Sequence, residues 1–185
     1  MVSADRLSGR LLVATPQIDE GIFHRSVILV LQHDEGGAQG VVLNKPLPAE
    51  VDAVLPGWGE HVSDPGTLFQ GGPVQLDSAL GLVAVDGRHT EGVQQLFAGV
   101  GLVDLDAVPG VIAAEVSAVR IFVGYAGWSA GQLEGELRTG SWYAVQARPE
   151  DAFTLDPDEL WAAVLHRQGG RLSWLSLLPE DPSVN

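Results

Sequence analysis

The chain has 185 residues, 45% of them hydrophobic, which is enough to bury a core and too apolar for a disordered segment. Ten basic residues (nine arginines and Lys45) against 24 acidic ones leave a net charge of −14 and no basic cluster, which argues against direct nucleic-acid binding. The absence of cysteine excludes disulfides, thiolate catalysis and Cys-based metal sites, while the lack of any apolar run near the ~18 residues of a membrane helix, and of a signal-like run in Met1 to Arg10, predicts a cytoplasmic protein without membrane contact.

Taken in order, Leu11 to Ala14 reads as a first strand ending before Pro16. Ser26 to Leu31 is a continuous apolar run, followed by the turn Asp34-Glu35-Gly36-Gly37 and a third strand, Gly40 to Leu43; the short glycine-bearing turn predicts a hairpin. Pro48 to Leu55 reads as a short helix ended by Pro56-Gly57. Thr67 to Gln70 is extended and runs into Gly71-Gly72-Pro73, and Leu80 to Val85 is another strand. Val93 to Val103 fits either strands or a broken helix, and Ala107 to Ala118 is a helix candidate. Val119 to Val123 is a strand entering a glycine-rich turn that holds Tyr125 and Trp128. Ser129 and Gln132 then form a capping box for a helix with Leu133 and Leu137 on its buried side. Asp156-Pro157-Asp158-Glu159 starts a last helix, Leu160 to Arg167, stopped by Gly169-Gly170, and the tail after Pro179 is expected to fray. With no linker or repeat, the pattern predicts one domain over residues 1–185, of α+β class with a mainly antiparallel sheet.

These residues together form a pattern: Ala14-Thr15-Pro16, Phe23, Arg25-Ser26-Val27, His33, Gly37-Ala38, Gly40 and Asn44-Lys45-Pro46. It continues with Gly71-Gly72-Pro73, Gly124-Tyr125, Trp128, Gly131-Gln132-Leu133-Glu134, Glu136 and Trp142. The chain thereby resembles the YqgE/AlgH family of bacterial proteins. That resemblance implies a mainly antiparallel, bifurcated β-sheet curled into a pseudo-barrel and flanked by helices. It implies little about function, because the family is uncharacterised; the label of transcriptional regulator attached to it finds no support in this acidic composition. One departure is Ala84-Val85, where many members carry Leu-His.

Four groups of residues invite chemistry. Gly127-Trp128-Ser129-Ala130-Gly131 fits the nucleophile elbow of a serine hydrolase, with Asp156 or Asp158 and then His166 following in triad order. A helix cap already accounts for Ser129, and His166 falls inside a helix rather than on a loop. His24 and His33-Asp34-Glu35 are metal-type ligands, but they sit at opposite ends of a strand spanning about 30 Å, so no metal site and no cofactor are expected, and His33 is assigned a structural hydrogen bond. Asn44 and Lys45 end a strand and offer an amide and the chain's sole lysine to a ligand. Gly71 and Gly72 permit close backbone approach, and Tyr125 and Trp128 either pack against the helix or, with Gln132 beside backbone N–H groups at a helix start, anchor a small anion or nucleotide. The expectation is a non-enzymatic module binding a small ligand or protein partner through Asn44, Lys45, Gly71, Gly72, Tyr125, Trp128 and Gln132. A hydrolase using Ser129 and a direct DNA-binding regulator are the rivals.

Overall fold

Ten strands build a single curled sheet in the computed structural model, which describes residues 7–97 and 99–180. They are β1 (Arg10–Ala14), β2 (Val27–Asp34), β3 (Gly37–Val42), β4 (Pro46–Glu50), β5 (Thr67–Gln70), β6 (Val74–Ala84), β7 (Val93–Phe97), β8 (Val100–Val103), β9 (Ala118–Ser129) and β10 (Trp142–Gln146). The main path runs β10-β1-β2-β3-β9-β6-β8-β7, antiparallel at every step. At β9 the sheet forks. Its last residues, from Ala126 to Ser129, pair with β3, while Phe122 and Val123 pair in parallel with Phe69 and Gln70 of β5, whose other edge carries β4. The result is a half-barrel with four helices: α1 (Pro109–Ala113), α2 (Gln132–Arg138), α3 (Leu160–Gln168) and α4 (Gly170–Leu175).

The apolar runs of β1 and β2 are continuous because both faces of the sheet are covered. Leu11, Val13, Val27 and Leu29 point into one core with Phe69, Phe122 and the Trp161, Val164 and Leu165 stripe of α3. Their alternates Leu12, Ala14, Ile28 and Val30 enter a second core with Trp128, Trp142 and Leu133 of α2. The period of two along a strand makes this division automatic. A third core gathers Trp58, Leu68, Val83, Val119 and Ile121 around β6 and β9.

Several elements differ from expectation. Pro48 to Leu55 is not a helix: Pro46 and Glu50 pair with Phe69 and Thr67, and only Val51–Ala53 makes a 3-10 turn. The two prolines sit in a strand with one partner, where their missing N–H groups are tolerated. The helix expected over Ala107 to Ala118 shrinks to five residues, since Ala118 already pairs with Ala84 of β6. Val93 to Val103 resolves into the β7–β8 hairpin. The glycine-rich turn after Val123 is a continuation of β9 as far as Ser129. Of the tail, residues 181–185 lie outside the described residues. No helix among the described residues is long and apolar enough to cross a membrane.

Candidate functional site

Trp128, at the end of β9, and Trp142, opening β10, meet edge to face at 6.2 Å, and Phe23 meets Trp142 likewise at 5.8 Å. Each buried indole N–H needs an acceptor, and one carboxylate serves both: Trp128 Nε1 donates to Glu136 Oε1 at 3.2 Å and Trp142 Nε1 at 2.9 Å. Gln132, one helical turn back, donates to the other Glu136 oxygen at 3.0 Å and accepts from the Ser129 N–H at 3.0 Å. The residue preceding α2 is Gly131, with φ 78°, so Ser129 is not the N-cap; only the Gln132 arm of the expected capping box forms. This correction follows from β9 extending to Ser129, which holds that residue in the ladder opposite Gly37.

Gly71, Gly72 and Tyr125 also come together, but as packed backbone. A Cβ on Gly72 would lie 2.1 Å from the Tyr125 carbonyl carbon, and one on Gly124 would lie 2.4 Å from the Gly72 oxygen. The two chains cross in contact there. No described cavity is lined by Gly71, Gly72, Tyr125, Trp128 or Gln132.

Asn44 and Lys45 sit elsewhere, at the far end of β3. Buried Asn44 accepts from the Val27 N–H at 3.0 Å and donates to the Arg25 carbonyl at 2.9 Å, while Lys45 Nζ donates to the His24 carbonyl at 2.7 Å. Two consecutive side chains thus clamp the loop entering β2. Within it Arg25 adopts φ 54°, a left-handed conformation uncommon without glycine. Its guanidinium stacks over Trp161 at 4.3 Å and donates to the Leu178 carbonyl. Beside this clamp runs a groove of about 500 Å³ lined by Gly21, His24, Arg25, Lys45 and Glu180. A neighbouring hollow of about 480 Å³ shares Gly21 and Lys45 and adds Asn44, Gln70 and Asp158. Burial pushes the Lys45 amine below its usual range, against the opposing pull of Glu180 and Asp158; Arg25 adds to the lowering. Among the described residues, neither Lys45 nor Arg25 makes an ion pair.

The remaining candidates are placed apart. Ser129 Oγ is bonded to Gln132 at 3.3 Å, and His166 Nδ1 pairs with Ser173 at 3.3 Å. Neither Asp156 nor Asp158 hydrogen-bonds His166 among the described contacts. Buried His33 donates from Nε2 to Glu134 of α2, and that bond, together with the Glu134 backbone N–H, holds the carboxyl below the usual range. The described residues contain no cluster of three or more metal-type ligands. Two polar anchors escaped the sequence reading. Glu136 stands i,i+4 from Gln132, but nothing local marks it as the acceptor of two indoles. Arg120, buried, bonds the carbonyls of Asp64, Ala152 and Thr154.

The forked, curled and mainly antiparallel sheet with its short flanking helices is an α+β half-barrel. A family model described as AlgH-like matches residues 11–173, and the chain belongs to that family. It is 48% identical to a UPF0301 protein of Streptomyces coelicolor, over all of this chain and 98% of the relative. It is 46% identical to a UPF0301 protein of Thermobifida fusca, over 98% of each. A crystal structure of a Corynebacterium diphtheriae protein matches with a TM-score of 0.86 at 32% identity, covering 95% of this chain and 94% of that one. The solution structure of the AlgH protein from Pseudomonas aeruginosa matches at 0.71 and 30%, covering 97% of each.

Proposed function

We propose that the chain is a single-domain, non-enzymatic cytoplasmic binding module whose ligand site is the groove at Arg25 and Lys45. The ligand is small and carries a carboxylate or a phosphate. One observation carries the reading: in a protein of net charge −14, the sole lysine and Arg25 line one groove and, among the described residues, neither has an ion-pair partner. Desolvating a cation without a partner is unfavourable, and a bound anion offsets that cost. Asp158 and Glu180 at the edges favour a ligand that also bears a hydrogen-bond donor. The same groove suits a regulatory protein partner that presents a carboxylate.

Thermal unfolding in the presence of citrate, inorganic phosphate and nucleotides tests this. Stabilisation that grows with concentration is expected for at least one class, and Lys45→Met is expected to abolish it. The carboxylate and phosphate arms separate the two ligand chemistries. No shift across the panel would overturn the reading. Hydrolysis by Ser129 has no such support, because its hydroxyl is bonded to Gln132 and not to a histidine.

A further inference from the structure

The curl of the sheet leaves a seam. Strands β10 and β7 stand at the two ends of the strand order and are not paired to each other among the described residues. Two contacts cross near the seam: a Cβ on Gly9, just before β1, would come within 2.7 Å of the Phe97 ring that ends β7, and one on Gly99 within 2.7 Å of Pro149, which follows β10. Beside these contacts lies a cavity of about 270 Å³. Leu11, Leu29 and Leu43 form its buried floor, and Phe97, Val100 and Ala152 its walls. Small closed barrels fill this interior with side chains; here the unclosed seam leaves it open.

Its polar rim is cationic. Arg10 and Arg148 are both exposed and both line the cavity, and neither makes an ion pair among the described residues. Arg10 gives one long bond, 3.3 Å, to the Ala144 carbonyl. Asp151 also lines the cavity, but its carboxylate is engaged by both Arg167 nitrogens at 2.6 and 2.7 Å and by the Arg148 N–H at 2.7 Å. An apolar cavity of about 150 Å³ suffices to bind the six carbons of benzene, so one of about 270 Å³ has room for roughly ten, enough for an eight-carbon acid.

We infer that the seam binds a medium-chain carboxylic acid, its acyl chain in the cavity and its carboxylate at Arg10 and Arg148. This site is separate from the Lys45 groove and shares no lining residue with it.

Calorimetric titration of the full chain with octanoate is the test. Saturable one-to-one binding is expected, weakening roughly fifteenfold for hexanoate, since each buried methylene contributes about fourfold. Octanamide, with the same tail and no charge, is expected to bind less tightly. Charge reversal of the two exposed arginines, Arg10→Glu with Arg148→Glu, is expected to abolish octanoate binding and leave octanamide unchanged. Lys45→Met is expected to retain octanoate, which separates failure of this site from failure of the groove. No saturable heat with octanoate, or equal octanoate affinity in the charge-reversed protein, would overturn the inference.

Discussion

Glu136 bonds two indoles and one amide through a single carboxylate, and so joins β9, α2 and β10 at one point. Removing it leaves two indole donors without an acceptor. Glu136→Ala is expected to cost about 3 kcal/mol in denaturant unfolding, and Glu136→Gln, which keeps one acceptor oxygen, about half of that. Arg120 makes the corresponding argument inside the half-barrel. Its guanidinium forks onto three carbonyls and lies 4.4 Å over the Phe69 ring, and burial lowers its pKa from the ordinary guanidinium range to about 10. Arg120→Lys keeps the charge and loses the fork, so a loss of about 2 kcal/mol is expected by the same measurement. The sequence made the two tryptophans and the Ser129–Gln132 relation visible. It did not reveal Glu136 as the common acceptor, because a contact spanning strand, helix and next strand leaves no periodic trace. The partners of Arg120 leave no trace for a related reason: they are backbone carbonyls, which every residue has.

At the scale of elements, β9 organises the molecule, since β3, β5 and β6 all pair with it. The fork is passable only because Gly72 and Gly124 let two backbones touch. Gly72→Ala places a methyl 2.1 Å from Tyr125 backbone and is expected to destabilise by about 4 kcal/mol or more. Gly131→Ala has nothing within 4 Å and only the strain of φ 78°, so about 1 kcal/mol is expected. The pair of thermal midpoints separates steric contact from backbone preference. Close approach at Gly71-Gly72 was readable from the glycines themselves. The helix expected over Pro48 to Leu55 fails because its first residues belong to the strand Pro46–Glu50, whose pairing with β5 outweighs local preference.

Across the whole molecule, charge governs what meets the surface. With 24 acidic against 10 basic residues, no retention of duplex DNA is expected in a gel shift at physiological salt; sequence-selective retention would contradict the reading of the groove as a small-ligand site. Acid stability carries a specific signature from the contact between α2 and β2. His33 holds Glu134 below its unfolded value of 4.5, so this carboxylate stabilises the fold above that pH and ceases to do so as pH falls through its lower folded value. Below pH 4.5 the native protein is therefore expected to lose stability more steeply than His33→Gln, as measured by urea unfolding across pH. Fold class and the antiparallel curl were legible at this scale from strand lengths and the family pattern. Of the candidate residues, Asn44 and Lys45 border hollows, while Gly71, Gly72, Tyr125, Trp128 and Gln132 lie in packed backbone or in the indole–carboxylate cluster, an arrangement set by long-range strand pairing that local sequence does not encode.

Lys45 has one more consequence. It supplies the only ε-amine in 185 residues, and its burial favours the unprotonated, nucleophilic form. An acylating dye thus meets one side-chain amine per chain, besides the α-amine. Under the proposed function, its rate of attachment at Lys45 is expected to fall as ligand fills the groove, as read by mass spectrometry.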